Sequence, residues 1–260
     1  MKYFPLQEKR TLITNLQSPR TAAEAIAEAR NSAADGADAI AIELCNLRRE
    51  DRNEESFRAI IQSVPLPFMF LLYRNDQVES LADEPRQELL LAAARAGAGM
   101  IDVIGDLYDP SPDERTRKPE AIRQQKDLIE KIHALGSQVI MSSHPLRPMT
   151  SDEVVEQLQD FASRGADVVK IVTKVNTDAE FAESIRTTMR LHRELSRPFV
   201  HLCGGRFSRI QRMTGTALGV AITFAVHDYH DYASYNQPTI RAFRKVQENM
   251  QWSIFREGAL

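Results

Sequence analysis

Apolar residues along the chain gather into eight short runs, at 11–14, 39–44, 68–73, 100–104, 139–143, 168–172, 199–202 and 221–224. The runs are continuous and do not alternate; Val168-Val169-Lys170-Ile171-Val172 carries a single polar residue. A strand apolar on both faces must be covered on both faces, as in a parallel sheet enclosed by helices. Amphipathic or alanine-rich stretches at 21–34, 85–96, 119–135, 151–164, 178–195 and 211–218 separate the runs and predict helices. Thr150-Ser151-Asp152-Glu153 is a helix start with acids in its first turn, where they meet the positive end of the helix dipole. Gly36, Gly97, Gly136 and Gly165 each follow a helical stretch and precede a strand, the place where a left-handed residue closes a helix. About eight strand-and-helix units in 260 residues predict an α/β fold, a (β/α)8 TIM barrel, over an open doubly wound sheet. Nothing divides residues 1–260 into parts, so one domain is expected.

Composition narrows the class. Hydrophobic residues make up 43% and charged residues 27%, which is enough for a full core with a solvated surface. A net charge of −3 gives no reason to expect nucleic acid or an anionic membrane as partner. Cys45 and Cys203 are too few for a disulfide framework and lack metal-motif spacing. The first ten residues have no apolar core of a secretory signal, and no run reaches the ~18 residues of a membrane span. A cytoplasmic enzyme or binding protein is expected. Gly204-Gly205-Arg206-Phe207 lacks the spacing of a dinucleotide or phosphate loop.

In a barrel the reacting groups gather at the C-terminal ends of the strands. That rule selects Glu43 after the second strand, Arg74 after the third, Asp102 and Asp106 at the fourth, and His144 after the fifth. Lys170 lies in the sixth, Arg212 follows the seventh, and Ser234 and Gln237 follow the eighth. Desolvation inside an apolar strand lowers a lysine's pKa and frees a nucleophilic amine, which imine formation with a ketone requires. The bland alternative is a lysine pointing outward or paired with Glu43 or Asp102. With His144 as a proton carrier and two arginines nearby, the set suits a small anionic substrate bearing a carbonyl. The histidines and aspartates of His227-Asp228-Tyr229-His230-Asp231 read as a solvated loop ahead of a metal site, and His133, His192 and His201 as structural.

Ser142-Ser143-His144 followed by Gly165-Ala166-Asp167-Val168-Val169-Lys170-Ile171 resembles the signature of type I 3-dehydroquinate dehydratases. So does the stretch from Gly205 through Arg212, Gly215 and Gly219 to Thr223-Phe224, and Ser234 with Gln237 resembles the family's closing loop. The resemblance implies a shikimate-pathway lyase that converts 3-dehydroquinate to 3-dehydroshikimate without metal or organic cofactor, as a homodimer. It implies that Lys170 forms the imine, His144 moves protons and Arg212 binds the substrate carboxylate. Gln237, Ser234, Glu43 and Arg74 would complete the polar shell.

The departures fall on that shell. Cys45 stands where the family usually carries an arginine two positions after Glu43, and Asn75-Asp76-Gln77-Val78-Glu79 replaces an acid followed by glycines. Gln211 takes the place of the serine before Arg212. The alternatives are another Schiff-base lyase, such as an aldolase on a different hydroxy-ketone, and a barrel that binds a small carboxylate without turnover.

Overall fold

The structure is a computed structural model describing residues 3–6, 11–229 and 235–250. The eight apolar runs become β1 (Thr11–Leu16), β2 (Ala39–Glu43), β3 (Phe68–Leu71), β4 (Met100–Ile104), β5 (Gln138–Ser143), β6 (Val168–Lys174), β7 (Phe199–Gly204) and β8 (Ile222–Ala225). Every ladder is parallel, in the order β7-β6-β5-β4-β3-β2-β1-β8. Among the described residues no ladder joins β7 to β8; Ala221 N–H donates to the Phe199 carbonyl at 2.8 Å across that seam. The sheet is a nearly closed barrel.

Helices alternate with the strands: α1 (Ala22–Ala34), α2 (Glu54–Gln62), α3 (Asp83–Ala96), α4 (Pro119–Ala134), α5 (Ser151–Ser163), α6 (Asp178–Glu194), α7 (Ser208–Gly215) and α8 (Ile240–Asn249). With helices outside and side chains filling the inside, both faces of each strand are dry. Ile40, Met69, Ile101, Val139, Val169 and Val200 are fully buried, which explains the unbroken apolar runs. Thr150 and Glu153 form the predicted start of α5 as a reciprocal capping box, and Thr177 with Glu180 repeats it at α6. Gly36, Gly97, Gly136 and Gly165 all have positive φ, as expected at helix ends. Among the described residues no helix is long and apolar enough to cross a membrane.

Several features differ from the predicted elements, among them α8, which no predicted helix covers. β3 ends at Leu71, so Tyr73 and Arg74 lie on the following loop. α7 begins at Ser208 without a side-chain cap and ends at Gly215, placing Arg212 in its second half. α2, an addition to the predicted helices, is capped by Asn53 and anchored by Phe57 and Ile60. Just ahead of α2, Arg52 grips Asp76 through both carboxylate oxygens at 2.6 and 2.7 Å and donates to the carbonyls of Leu44 and Leu47. This buried fork fastens the segment after β2 to the segment after β3.

Candidate active site

The C-terminal ends of the strands surround a cavity of about 690 Å³. Six of the predicted residues line it: Glu43, Arg74, His144, Lys170, Arg212 and Gln237. Asp102 and Asp106 are buried and do not line it, and Ser234 lies outside the described residues.

Lys170 pairs in register with Ser142 of β5 and Val200 of β7, which turns its side chain inward, 5% exposed. Its Nζ donates to the Tyr73 hydroxyl at 3.0 Å and stands 3.8 Å from Asp102 Oδ2. Burial pulls the Lys170 pKa down, against the pull of Asp102 and with help from the charge of Arg212. The lysine thus points inward with a carboxylate neighbour, while burial disfavours its charged form.

His144 follows the last residue of β5 and is fixed by Glu114, whose Oε2 accepts from the His144 backbone N–H at 2.8 Å and lies 3.0 Å from Nδ1. Burial pushes the Glu114 carboxyl up, but the hydrogen bonds and charge of His144 outweigh it and hold the group below the usual carboxylate range. An ionised carboxylate only accepts, so Nδ1 carries the hydrogen in this pairing and Nε2 is left as the basic nitrogen. The ring also meets Tyr73 edge-on, with centroids 4.9 Å apart.

Glu114 sits in the loop between β4 and α4 with a left-handed φ of 49°. The loop is laced internally: Asp106 accepts from Ser111 N–H at 2.6 Å, Ser111 Oγ both donates to and accepts from Arg115, and Thr116 N–H donates to the Gly105 carbonyl. Gly105 lets this loop close, since a Cβ there would lie 2.2 Å from Phe161 Cζ and 2.6 Å from the Glu114 carbonyl. Gly105→Ala should therefore cost about 1–3 kcal/mol of stability by overpacking and shift Glu114 off His144. Denaturant unfolding read beside the pH–rate profile checks both effects.

Arg212 is 6% exposed, and its Nε has no hydrogen-bond partner among the described residues. Burial draws its pKa down to about 10, so it remains a cation at neutral pH. Gln211 holds α7 against β7, accepting from Cys203 N–H and donating to the His201 carbonyl. Gln211, which replaces the expected serine, is thus the residue that seats Arg212. Gly205, at φ 91°, is needed for the turn into α7, because a Cβ would lie 2.5 Å from both Asn176 Oδ1 and the Val175 carbonyl.

Glu43 accepts from Gln17 Nε2 at 3.0 Å, and Gln237 Nε2 reaches Gln17 Oε1 at 3.3 Å. The neutral amide of Gln17 is the donor to Glu43, while Cys45 two positions on contacts Asn75 Oδ1 at 3.5 Å. Burial, then the charge of Glu43, pushes the Cys45 thiol up to about 12. Gln237 Oε1 and Asn15 Oδ1 are buried without partners among the described residues. Arg74 lines the cavity with its guanidinium held by Asp106 at 2.6 Å and Asp83 at 3.1 Å.

The sequence reading missed Tyr73, Glu114, Gln17 and Asn15. Asn15 carried a usable signal, being a polar residue near the end of β1. Outside the cavity, His201 is buried, bonded to Thr188 Oγ1, and pushed down to about 4 by burial. His227 pairs with Asp35 at 2.7 Å, and His230 and Asp231 lie outside the described residues.

The model of the type I 3-dehydroquinase family matches residues 18–253. A 3-dehydroquinate dehydratase of Klebsiella pneumoniae subsp. pneumoniae is 28% identical over 169 residues, covering 64% of this chain and 62% of that protein. One of Shouchella clausii is 29% identical over 129 residues, covering 49% and 46%. The matched span is thus less than two thirds of the length of these relatives. A crystal structure of 3-dehydroquinate dehydratase from Geobacillus kaustophilus superimposes with a TM-score of 0.80 at 16% identity, covering 94% of this chain and 92% of that one. A type I enzyme from Clostridium difficile, with covalently modified comenic acid, gives 0.78 at 17% identity, covering 93% and 92%. These likenesses support the (β/α)8 barrel.

Proposed function

Because this chain belongs to the type I 3-dehydroquinase family, we propose that it dehydrates 3-dehydroquinate to 3-dehydroshikimate through an imine on Lys170. The observation that carries the proposal is a buried amine with a depressed pKa sharing one cavity with a buried guanidinium whose Nε has no partner among the described residues. The amine supplies the nucleophile and the guanidinium fixes a carboxylate.

Lys170 Nζ attacks the ketone, the C–N bond forms, and the ketone oxygen leaves as water. The iminium acidifies the neighbouring C–H. His144 Nε2 removes that proton, and the electron pair moves into the iminium to give an enamine. The enamine pushes out the hydroxyl on the next carbon, which takes the proton back from His144 and departs as the second water. Hydrolysis of the imine consumes one water and restores Lys170, so the net change is loss of one water. Arg212 would hold the carboxylate borne by the carbon that loses hydroxyl. Glu43, Gln237 and Gln17 offer acceptors and donors for ring hydroxyls, and Ser234 belongs to the same proposed shell. Arg74, tied to Asp83 and Asp106, would shape the rim. A role in the shikimate pathway, a cytoplasmic setting and a homodimer are parts of the same proposal.

Borohydride added with 3-dehydroquinate should reduce the imine and add the substrate mass to the Lys170 peptide. Product formation without that adduct would refute the mechanism. If neither product nor adduct appears with 3-dehydroquinate, yet another hydroxy-ketone is trapped on Lys170, the aldolase-like reading prevails. His144→Ala should slow turnover by about 10²–10⁴-fold while the trapped adduct persists. Equal loss of both would assign His144 to imine formation alone.

A further inference from the structure

A phenol stands between Lys170 and the carboxylate nearest to it. The Tyr73 hydroxyl is 3.0 Å from Asp102 Oδ2 and 3.0 Å from Lys170 Nζ, whereas Nζ and the same carboxylate oxygen are 3.8 Å apart. Ser142 Oγ donates to the other oxygen, Oδ1, at 2.5 Å. A carboxylate only accepts, so the single hydrogen of Tyr73 goes to Asp102 and its oxygen is left as an acceptor. Lys170 donates one N–H to that oxygen, and the Phe224 ring flanks Nζ with its centroid 4.9 Å away.

We propose that Tyr73 is a positioning residue that holds Lys170 Nζ 3.8 Å from Asp102, out of direct hydrogen-bond contact, and ties one N–H, leaving the nitrogen lone pair for the cavity. This rests on the reading of Lys170 as the imine-forming amine. A direct contact with Asp102 would favour the ammonium form, which has no lone pair to attack a ketone. Burial first, and then the charge of Asp102, keeps the Tyr73 phenol well above its ordinary pKa, so a neutral group occupies the gap. The other charged groups facing Lys170 are Glu43 from β2, Glu114 from the loop after β4 and Arg212 from α7. His144, after β5, lies across the Tyr73 ring. None of these shares the position between the amine and Asp102, so removing the hydroxyl leaves that carboxylate free to close on Nζ.

The test is Tyr73→Phe, which keeps the ring against His144 and deletes only the hydroxyl. Trace acetylation of the unliganded protein with acetic anhydride across a pH series, read as the mass of the Lys170 peptide, titrates this amine without substrate. The midpoint should rise by about one unit, giving roughly 10-fold less labelling below both midpoints, with convergence at high pH. Asp102→Asn, with Tyr73 in place, should move the midpoint down. An unmoved midpoint in Tyr73→Phe, or the same loss at every pH, would overturn the proposal. If Tyr73→Phe does not fold, an unmoved midpoint in Asp102→Asn does the same. Because no substrate is involved, failure here leaves the dehydratase reading standing. Absence of a borohydride adduct in the wild-type protein counts against that reading and not against the hold on Lys170.

Discussion

Lys170→Met is expected to lower turnover of 3-dehydroquinate by on the order of 10⁴-fold or more, because the other lysine lining the cavity, Lys174, is solvent-exposed at the end of β6 and lacks the burial that favours a free amine. The same substitution should raise stability at neutral pH. Lys170 is buried and its pKa is lowered by that burial, so the folded state binds its proton less readily than the unfolded chain. That penalty is fully present below the folded pKa and fades as pH rises to the unfolded value. Methionine fills a similar volume without a charge, and Asp102 keeps its hydrogen bonds from Tyr73 and Ser142. The variant's advantage in denaturant midpoint should therefore be largest below the folded pKa of Lys170 and shrink toward strongly alkaline pH. A variant that retains turnover within ten-fold of wild type would remove Lys170 from the chemistry.

Arg212→Met sets activity against stability more sharply. Its guanidinium is buried with Nε unpartnered among the described residues, an arrangement that costs free energy until an anion arrives. Replacing it with an apolar side chain should stabilise the unliganded protein by about 1–4 kcal/mol, a rise in Tm of roughly 2–10 °C for a chain of this size. Loss of the carboxylate contact should lower kcat/KM by about 30–5,000-fold, the equivalent of roughly 2–5 kcal/mol. 3-Dehydroquinate should raise the Tm of the wild-type protein and leave that of the variant in place. If Arg212→Met is less stable than wild type and still responds to substrate, the guanidinium is structural and the carboxylate is held elsewhere.

What the sequence made legible follows from how local each cause is. The strands could be read because burial on both faces writes continuous apolar runs, and their starts because a left-handed glycine closes the helix before each of several. Lys170, His144 and Arg212 could be placed because a barrel brings its strand ends to one mouth whatever lies between them. Glu114 could not, since its contact with His144 depends on a left-handed turn packed over Gly105 and against Phe161, thirty or more residues away. Tyr73 reads as the apolar end of a strand; its hydroxyl acquires meaning only from Asp102 and Lys170 on two other strands. The start of α7 was misplaced for a simpler reason: Phe207 offers no side-chain cap, so the helix has no local signal where it begins. Gln17 replaces a charged partner of Glu43 by proximity in space, which no spacing rule encodes.

The seam between β7 and β8 gives the barrel an uneven resistance to opening. Elsewhere adjacent strands share a ladder of backbone bonds, whereas here Ala221 and Phe199 hold a crossing of the two edges. α7, which carries Arg212, begins at the end of β7 and leads into β8, so it spans the weakly tied side. Local unfolding is cheapest where few backbone bonds must break. Amide exchange should accordingly run fastest around α7 and slowest around β4 to β6. The proposed anchor for an incoming anion thus sits beside the wall with fewer backbone bonds, and the proposed nucleophile within the laddered strands.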